Sequence, residues 1–270
     1  MAADVAAIAA EALASLDGGR QIASLSARIP DLTLDDAYRV TAAMRQIRVN
    51  RGERVLGRKI GFTNRTIWAE YNVYAPIWGF VYDRTLRNLA EIGGAFPLAG
   101  LAEPRIEPEI VFGLSHAPTP GMDDRALLST IEWVAHGFEL VQSIFPGWKF
   151  SPADTVAGNA LHGALLIGER QPVGERADEW LRTLGAFDID LKCNGKPMDR
   201  GRALNVLEGP LSTLRYLMDL LAKDRANPPL AAGEIITTGT LTRALPVTAG
   251  ETWSTELSGV ALDGISVRFY

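Results

Sequence analysis

Pro104-Arg105-Ile106-Glu107-Pro108-Glu109-Ile110 sets two carboxylates two residues apart in a segment that reads as a β-strand. Side chains on a strand repeat every second residue, so Glu107 and Glu109 project from one face. Unpaired, they repel each other, and in a buried site they resist ionising together. A hard divalent cation resolves that conflict: magnesium and manganese favour oxygen ligands and take one or two carboxylates while keeping positions for water and substrate. The plain alternative is an exposed strand face with two solvated glutamates, because acidic residues are seldom buried unless paired. The pair alone does not separate the two.

Around this stretch, from about Val55 onward, short apolar runs alternate with glycine and proline at 55–62, 79–82, 106–114, 137–144, 163–168, 186–193, 233–239 and 255–269, which predicts a β-rich core. Two segments, 123–136 and 210–223, read as helices; Leu211, Leu214, Met218 and Leu221 line one face of the second and point to core packing. Before Val55 the chain reads as helical. The alanine-rich start through Leu16 favours a helix that Gly18-Gly19 stops. Thr33 with Asp36 then resembles a capping box, followed by Ala37, Val40, Met44 and Ile47 at helical spacing as far as Asn50-Arg51-Gly52. Strands grouped around two or three helices predict an α+β architecture rather than a βαβ repeat. No repeat or linker divides the sequence, so the expected organisation is a helical N-terminal portion, 1–54, running continuously into a catalytic core, 55–270.

Composition narrows the function. At 270 residues, 47% hydrophobic and 22% charged, the chain reads as globular rather than disordered. A net charge of −5 without a Lys/Arg cluster argues against nucleic acid as a partner. The single cysteine, Cys193, excludes an internal disulfide framework and a thiolate zinc cluster. The start, Met1-Ala2-Ala3-Asp4-Val5-Ala6-Ala7-Ile8, is apolar but carries Asp4 and lacks a basic leader, unlike a secretory signal. No segment approaches the roughly 20 apolar residues that cross a bilayer. A cytoplasmic protein without a membrane partner is expected. Phosphate loops and a serine-nucleophile elbow are missing. His116, His136 and His162 are not spaced as a zinc-binding pair, and the first two read as surface or core residues.

Gly57-Arg58-Lys59-Ile60-Gly61-Phe62-Thr63, the Glu107/Glu109 stretch, Phe138-Glu139-Leu140-Val141, Trp148-Lys149, Asp154-Thr155-Val156-Ala157 and Gly239-Thr240-Leu241-Thr242 follow one another in order. In that order and spacing they resemble the 2-keto-4-pentenoate hydratase and 4-oxalocrotonate decarboxylase family of the fumarylacetoacetate hydrolase superfamily, from about residue 30 to the C-terminus. The resemblance implies a mixed β-roll core and a Mg2+ or Mn2+ ion held by Glu107, Glu109 and Glu139. The residues agree, for Glu139 sits in an otherwise apolar strand where an unpaired carboxylate is costly to bury. Lys59 matches the family lysine and is the expected catalytic residue, binding a substrate oxygen as ammonium or shuttling a proton as amine. Thr240 resembles a substrate contact of the superfamily. Arg105 and Lys149 are candidate cations for the substrate, or neutralise the acidic cluster.

Two departures from the family pattern stand out. Pro76-Ile77-Trp78-Gly79 carries Ile77 where the hydratases have an aspartate thought to move protons, and Gly158-Asn159-Ala160-Leu161-His162-Gly163 trades a small hydroxyl for an imidazole. Gln142 also stands where aspartate is common. His162 is therefore a second catalytic candidate, as acid or base, with packing or hydrogen bonding as the alternative. The implied activity is hydration of a small 2-hydroxy-2,4-dienoate to a 4-hydroxy-2-oxo acid in aromatic-compound catabolism. Its rivals are decarboxylation of a 2-oxoenedioate, carbon-carbon hydrolysis of an acylpyruvate, and a silent subunit in complex with a related hydratase or decarboxylase. Family habit implies a homo-oligomer.

Overall fold

The alanine-rich start folds as α1 (Val5–Gly18), which ends where Gly19 takes a left-handed φ of 57°. The structure is a computed structural model that describes residues 4–270; Met1, Ala2 and Ala3 of that start lie outside the described residues. The remaining helices are α2 (Leu25–Arg28), α3 (Leu34–Asn50), α4 (Trp68–Tyr71), α5 (Asp124–Ser129), α6 (Pro152–Ala157), α7 (Ala177–Thr183) and α8 (Pro210–Lys223). At α3 the predicted capping box is complete: Thr33 Oγ1 accepts from Asp36 N and the Asp36 carboxylate accepts from Thr33 N. Ile8, Leu13 and Leu16 of α1 pack with Ala37, Val40 and Met44 of α3 and Val156 of α6 in one cluster. A second capping box opens α6, and Asp154 within it also accepts from Ser26 N at 2.9 Å and Ser26 Oγ at 2.6 Å, tying α2 to the core.

The strands are β1 (Val55–Gly61), β2 (Ile77–Tyr82), β3 (Leu86–Asn88), β4 (Ala95–Phe96), β5 (Arg105–Leu114), β6 (Ile131–Val141), β7 (His162–Pro172), β8 (Asp188–Cys193), β9 (Lys196–Arg202), β10 (Ile235–Thr237), β11 (Leu245–Pro246), β12 (Thr252–Ser258) and β13 (Ser266–Phe269). The larger sheet runs β2-β1-β10-β5-β6-β7-β3 with β11 also on β5, and the smaller runs β4-β13-β12-β8-β9. Parity divides the central strands. Ile106, Phe138 and Leu140 pack with Leu191, Trp253, Val267 and Phe269 of the smaller sheet. Glu107, Glu109 and Glu139 therefore project from the opposite face. That face is enclosed, since Val81 of β2 packs in one cluster with Leu165 and Ile167 of β7 and with Leu86 of β3. These strands lie at opposite ends of the larger sheet, and strands sit about 4.8 Å apart, so the two ends meet only because the sheet rolls up. The expected α+β fold with a mixed rolled sheet is what the chain adopts.

The helix expected at 123–136 is a correction. Only Asp124–Ser129 is helical, and β6 begins at Ile131. Ala135 and Val134 are both fully buried on opposite faces of β6, and a strand buried on both faces loses the alternation that distinguishes it from a helix. Likewise 255–269 is two strands, β12 and β13, joined by a turn. At 210–223 the helix forms as expected, with Leu211, Leu214, Met218 and Leu221 buried.

Pro108 lies inside a central strand, where its missing N–H would ordinarily cost a ladder bond. Its carbonyl accepts from Leu241 N at 2.9 Å, so its nitrogen faces the same side, the gap between β10 and β11. The loop crossing that gap carries Gly239 and Thr240. No described helix is long and apolar enough to cross a membrane.

Candidate metal centre

Glu107 and Glu139 are directly paired across β5 and β6, and Glu109 follows two residues along β5. One carboxylate oxygen from each lies within 4.8 Å of the others. Exposure is 9% for Glu107 and 0% for Glu109 and Glu139, which rules out solvated glutamates. Burial pushes Glu107 up to about 8, with Lys59 holding it down and Glu109 and Glu139 pushing it further. Burial also raises Glu109 and Glu139, and Lys59 opposes the rise in both.

Lys59 comes from β1, where it pairs with Gly79 of β2. Its Nζ donates to Ala160 O at 3.0 Å and lies 3.4 Å from Glu139 Oε2. Burial works against the ammonium, but the pull of Glu139, Glu107 and Glu109 outweighs it and raises the Lys59 pKa. The adjacent Arg58 serves the other face, pairing with Glu234 at 2.9 Å.

Glu109 Oε2 accepts from Gly239 N at 2.7 Å. Gly239 has φ +86°, and a Cβ there would fall 1.8 Å from Thr63 Oγ1, so only glycine brings that N–H to the carboxylate. Glu109 Oε1 and Glu139 Oε2 are buried without a hydrogen-bond donor. Two carboxylate oxygens without a hydrogen-bond donor, one of them 3.4 Å from the Lys59 ammonium, in a trio of three buried carboxylates suit a hard dication, and the three glutamates fit one.

His162 reaches the site through a bulge. Leu140 pairs with Ala164 and Val141 with His162, leaving Gly163 as the extra residue that turns His162 onto the face of Glu139. Its Nδ1 lies 2.8 Å from Glu139 Oε1 and its Nε2 2.8 Å from Thr85 Oγ1. Once Glu139 is ionised it can only accept, so Nδ1 carries the proton and Nε2 accepts the Thr85 hydroxyl. Burial, with Lys59 and Arg48 adding to it, lowers the His162 pKa to about 3 and keeps the ring neutral.

The site opens into a small cavity of about 30 Å³ walled by Lys59, Glu107, Phe62, Ile67, Tyr71, Trp148, Leu161 and Ala244. Ile77, at the place of the family aspartate, is 3% exposed and pairs with Gly61 beside Lys59. Arg105 is partly buried; its guanidinium stacks 4.2 Å over the Trp148 ring and donates to Tyr71 Oη. Thr240 is buried, with its hydroxyl donating to Thr242 O at 2.9 Å. Lys149 is exposed and has no ion pair among the described residues. Gln142 lies away from the trio and braces α1, its Oε1 accepting from Ala102 N and its Nε2 donating to Leu16 O. His116 is exposed and His136 buried, bonded to Glu109 O and Thr255 Oγ1. The sequence offered no sign of three contributors: the Ala160 carbonyl, the Gly239 amide and the Thr85 hydroxyl. The first two are backbone groups, and the third lies far from His162 in the chain.

No protein-family profile matches the sequence. The chain is 34% identical over 249 residues to a 2-hydroxyhexa-2,4-dienoate hydratase of Comamonas testosteroni, covering 91% of this chain and 90% of that protein. It is 33% identical over 242 residues to a 4-oxalocrotonate decarboxylase of Pseudomonas sp. strain CF600, covering 89% and 87%. The structure of 4-oxalocrotonate decarboxylase from Pseudomonas putida G7, complexed with magnesium and adipate, matches with a TM-score of 0.88 at 28% identity over 98% of this chain and 97% of that one. The fold is shared with solved structures described as fumarylacetoacetate hydrolase family proteins, one of them from Yersinia pestis with a TM-score of 0.56 at 17% identity over 79% of this chain. The chain belongs to the family of 2-keto-4-pentenoate hydratases and 4-oxalocrotonate decarboxylases, which are lyases.

Proposed function

We propose that the protein is a metal-dependent hydro-lyase that adds water to a 2-hydroxy-2,4-dienoate, giving a 4-hydroxy-2-oxo acid in the catabolism of aromatic compounds. The observation that carries this reading is the buried trio of Glu107, Glu109 and Glu139, two of its oxygens without a hydrogen-bond donor, beside a lysine that opens into an apolar cavity. The three glutamates would hold Mg2+ or Mn2+, which would supply Lewis-acid stabilisation of negative charge developing on the substrate. Lys59 has three ammonium N–H groups; one serves Ala160 O, one faces Glu139, and the third is free for a substrate oxygen on which negative charge develops. His162, neutral and bonded to Glu139, holds that carboxylate in its ligating orientation. Phe62, Ile67, Tyr71, Trp148 and Leu161 receive the hydrocarbon tail and exclude bulk water. The turn carrying Thr240 supports the substrate, and Lys149 adds positive potential outside the cavity. A cytoplasmic homo-oligomer is part of the same proposal and rests on the family resemblance.

Arg105 favours a second reading, decarboxylation of a 2-oxoenedioate, because a guanidinium near the cavity could take the second carboxylate. Its stacking on Trp148 and its bond to Tyr71 already give it a structural task, which keeps hydration first. Incubating the protein and magnesium with a dienoate, a 2-oxoenedioate and an acylpyruvate, with products identified by mass, tests the choice. Release of CO2 from the enedioate without hydration of the dienoate would overturn it, and inactivity on all three would favour the silent-subunit reading.

A further inference from the structure

Asn159, Ala160 and Leu161 take left-handed φ values of 52°, 52° and 64° in succession. Residues with a Cβ visit that region singly, and a run of them persists only where the surroundings over-determine it. The restraint is visible. Asn159 Nδ2 donates to Phe80 O at 3.0 Å, and Phe80 N donates to Asn159 Oδ1 at 2.9 Å. Phe80 belongs to β2, an edge strand, so this one buried carboxamide makes the pair of bonds that a neighbouring strand would otherwise make. Gly79 permits the approach, since a Cβ there would lie 2.5 Å from Asn159 O. The clipped turn presents Ala160 O to Lys59 Nζ at 3.0 Å.

We propose that Asn159 is a positioning residue for Lys59: by clipping the left-handed turn to the edge of β2, it fixes the Ala160 carbonyl that aims the ammonium into the cavity. Lys59 is otherwise a flexible four-carbon stem, and its remaining restraint, Glu139, would draw it toward the carboxylates and away from substrate. This inference rests on the reading that Lys59 acts on substrate.

Asn159→Gly is the test of choice, because glycine relaxes the left-handed backbone while removing the clip. With folding checked by circular dichroism, kcat should fall about 100-fold, the cost of a misplacement near 1 Å, while KM and Mg2+ affinity by calorimetry stay within about threefold. In a Lys59→Met background the same substitution should cost less than about threefold, because both changes disable one device. A folded Asn159→Gly enzyme with kcat within threefold of wild type overturns the proposal, as does a full loss persisting in the Lys59→Met background or one matched by lost Mg2+ affinity. Unchanged turnover in Lys59→Met alone would instead sink the reading of Lys59. If Asn159→Gly does not fold, Asn159→Asp, which keeps the acceptor for Phe80 N, is judged by the same criteria.

Discussion

Replacing Lys59 by methionine keeps much of the side-chain length and removes the charge. At 3.4 Å from Glu139 Oε2, the ammonium is worth about 5 kcal/mol of attraction at an effective dielectric near 20. A substrate oxygen at hydrogen-bond distance that gains charge during the reaction draws on an interaction of similar size. The part realised only in the transition state falls in the usual range for an electrostatic or proton-transferring group, about 3 to 5 kcal/mol, or two to four orders of magnitude in kcat. Metal binding should respond in the opposite sense. Three carboxylates and one lysine leave the site at −2, and the variant stands at −3, so Mg2+ affinity should hold or rise. The metal-free variant should also be less stable, because buried carboxylates lose a partner. Single-turnover kinetics at saturating Mg2+, with calorimetric titration of the ion, separates these effects. Unchanged turnover would refute the role given to Lys59, and a loss explained by weakened Mg2+ binding would refute the charge argument.

Glu107→Ala, Glu109→Ala and Glu139→Ala should each abolish Mg2+-dependent turnover while leaving the circular dichroism spectrum largely intact; three variants with wild-type metal affinity and activity would displace the site. With Ile77 and Leu161 beside an aromatic cavity, kcat/KM should be about tenfold or more higher for a dienoate bearing an apolar tail than for the unsubstituted one, the worth of about 1 to 3 kcal/mol per methylene. Equal values for the two substrates would contradict that lining. Burial holds His136 at about 4 against an ordinary 6.5. Its folded-state value is depressed, so the stability it contributes is complete above pH 6.5 and is lost as pH falls toward 4, by about 3 kcal/mol in all. Urea unfolding should show the stability gap between wild type and His136→Gln narrowing by about that amount from pH 7 to pH 4, and a gap independent of pH would show that His136 does not titrate this way.

The sequence showed the Glu107/Glu109 face because a period-two pattern needs no knowledge of neighbouring strands, and it showed the α3 cap because Thr33 and Asp36 act within one turn. Glu139 came from the family resemblance, and the apolar run around it agreed, since a carboxylate buried there calls for compensation. Other features depend on pairing. Lys59 is separated from β5 by β10, and its Ala160 partner is a carbonyl, to which residue type contributes nothing. β9 escaped notice because its side chains are largely polar and exposed, although Asn194-Gly195, both at left-handed φ, marked the hairpin that leads into it. The 130–136 segment was misread because burial on both faces erases the signal that periodicity relies on.

The bulge at Gly163 makes the hydrogen bonding of Glu139 depend on chain length rather than on residue identity. Counting back along β7, every residue before the bulge is one step out of phase with those after it. A chain with one residue inserted between His162 and Gly163 would keep every side chain of the site, yet the newcomer would fall opposite Val141 and send the imidazole of His162 toward the smaller sheet, leaving Glu139 Oε1 without its donor. Relatives longer by one residue here would thus share nearly all of their sequence and differ in grip on the ion, and a one-residue insertion between His162 and Gly163 should weaken Mg2+ binding by about 10- to 100-fold in calorimetry. An unchanged affinity would show that Glu139 needs no imidazole to hold its place.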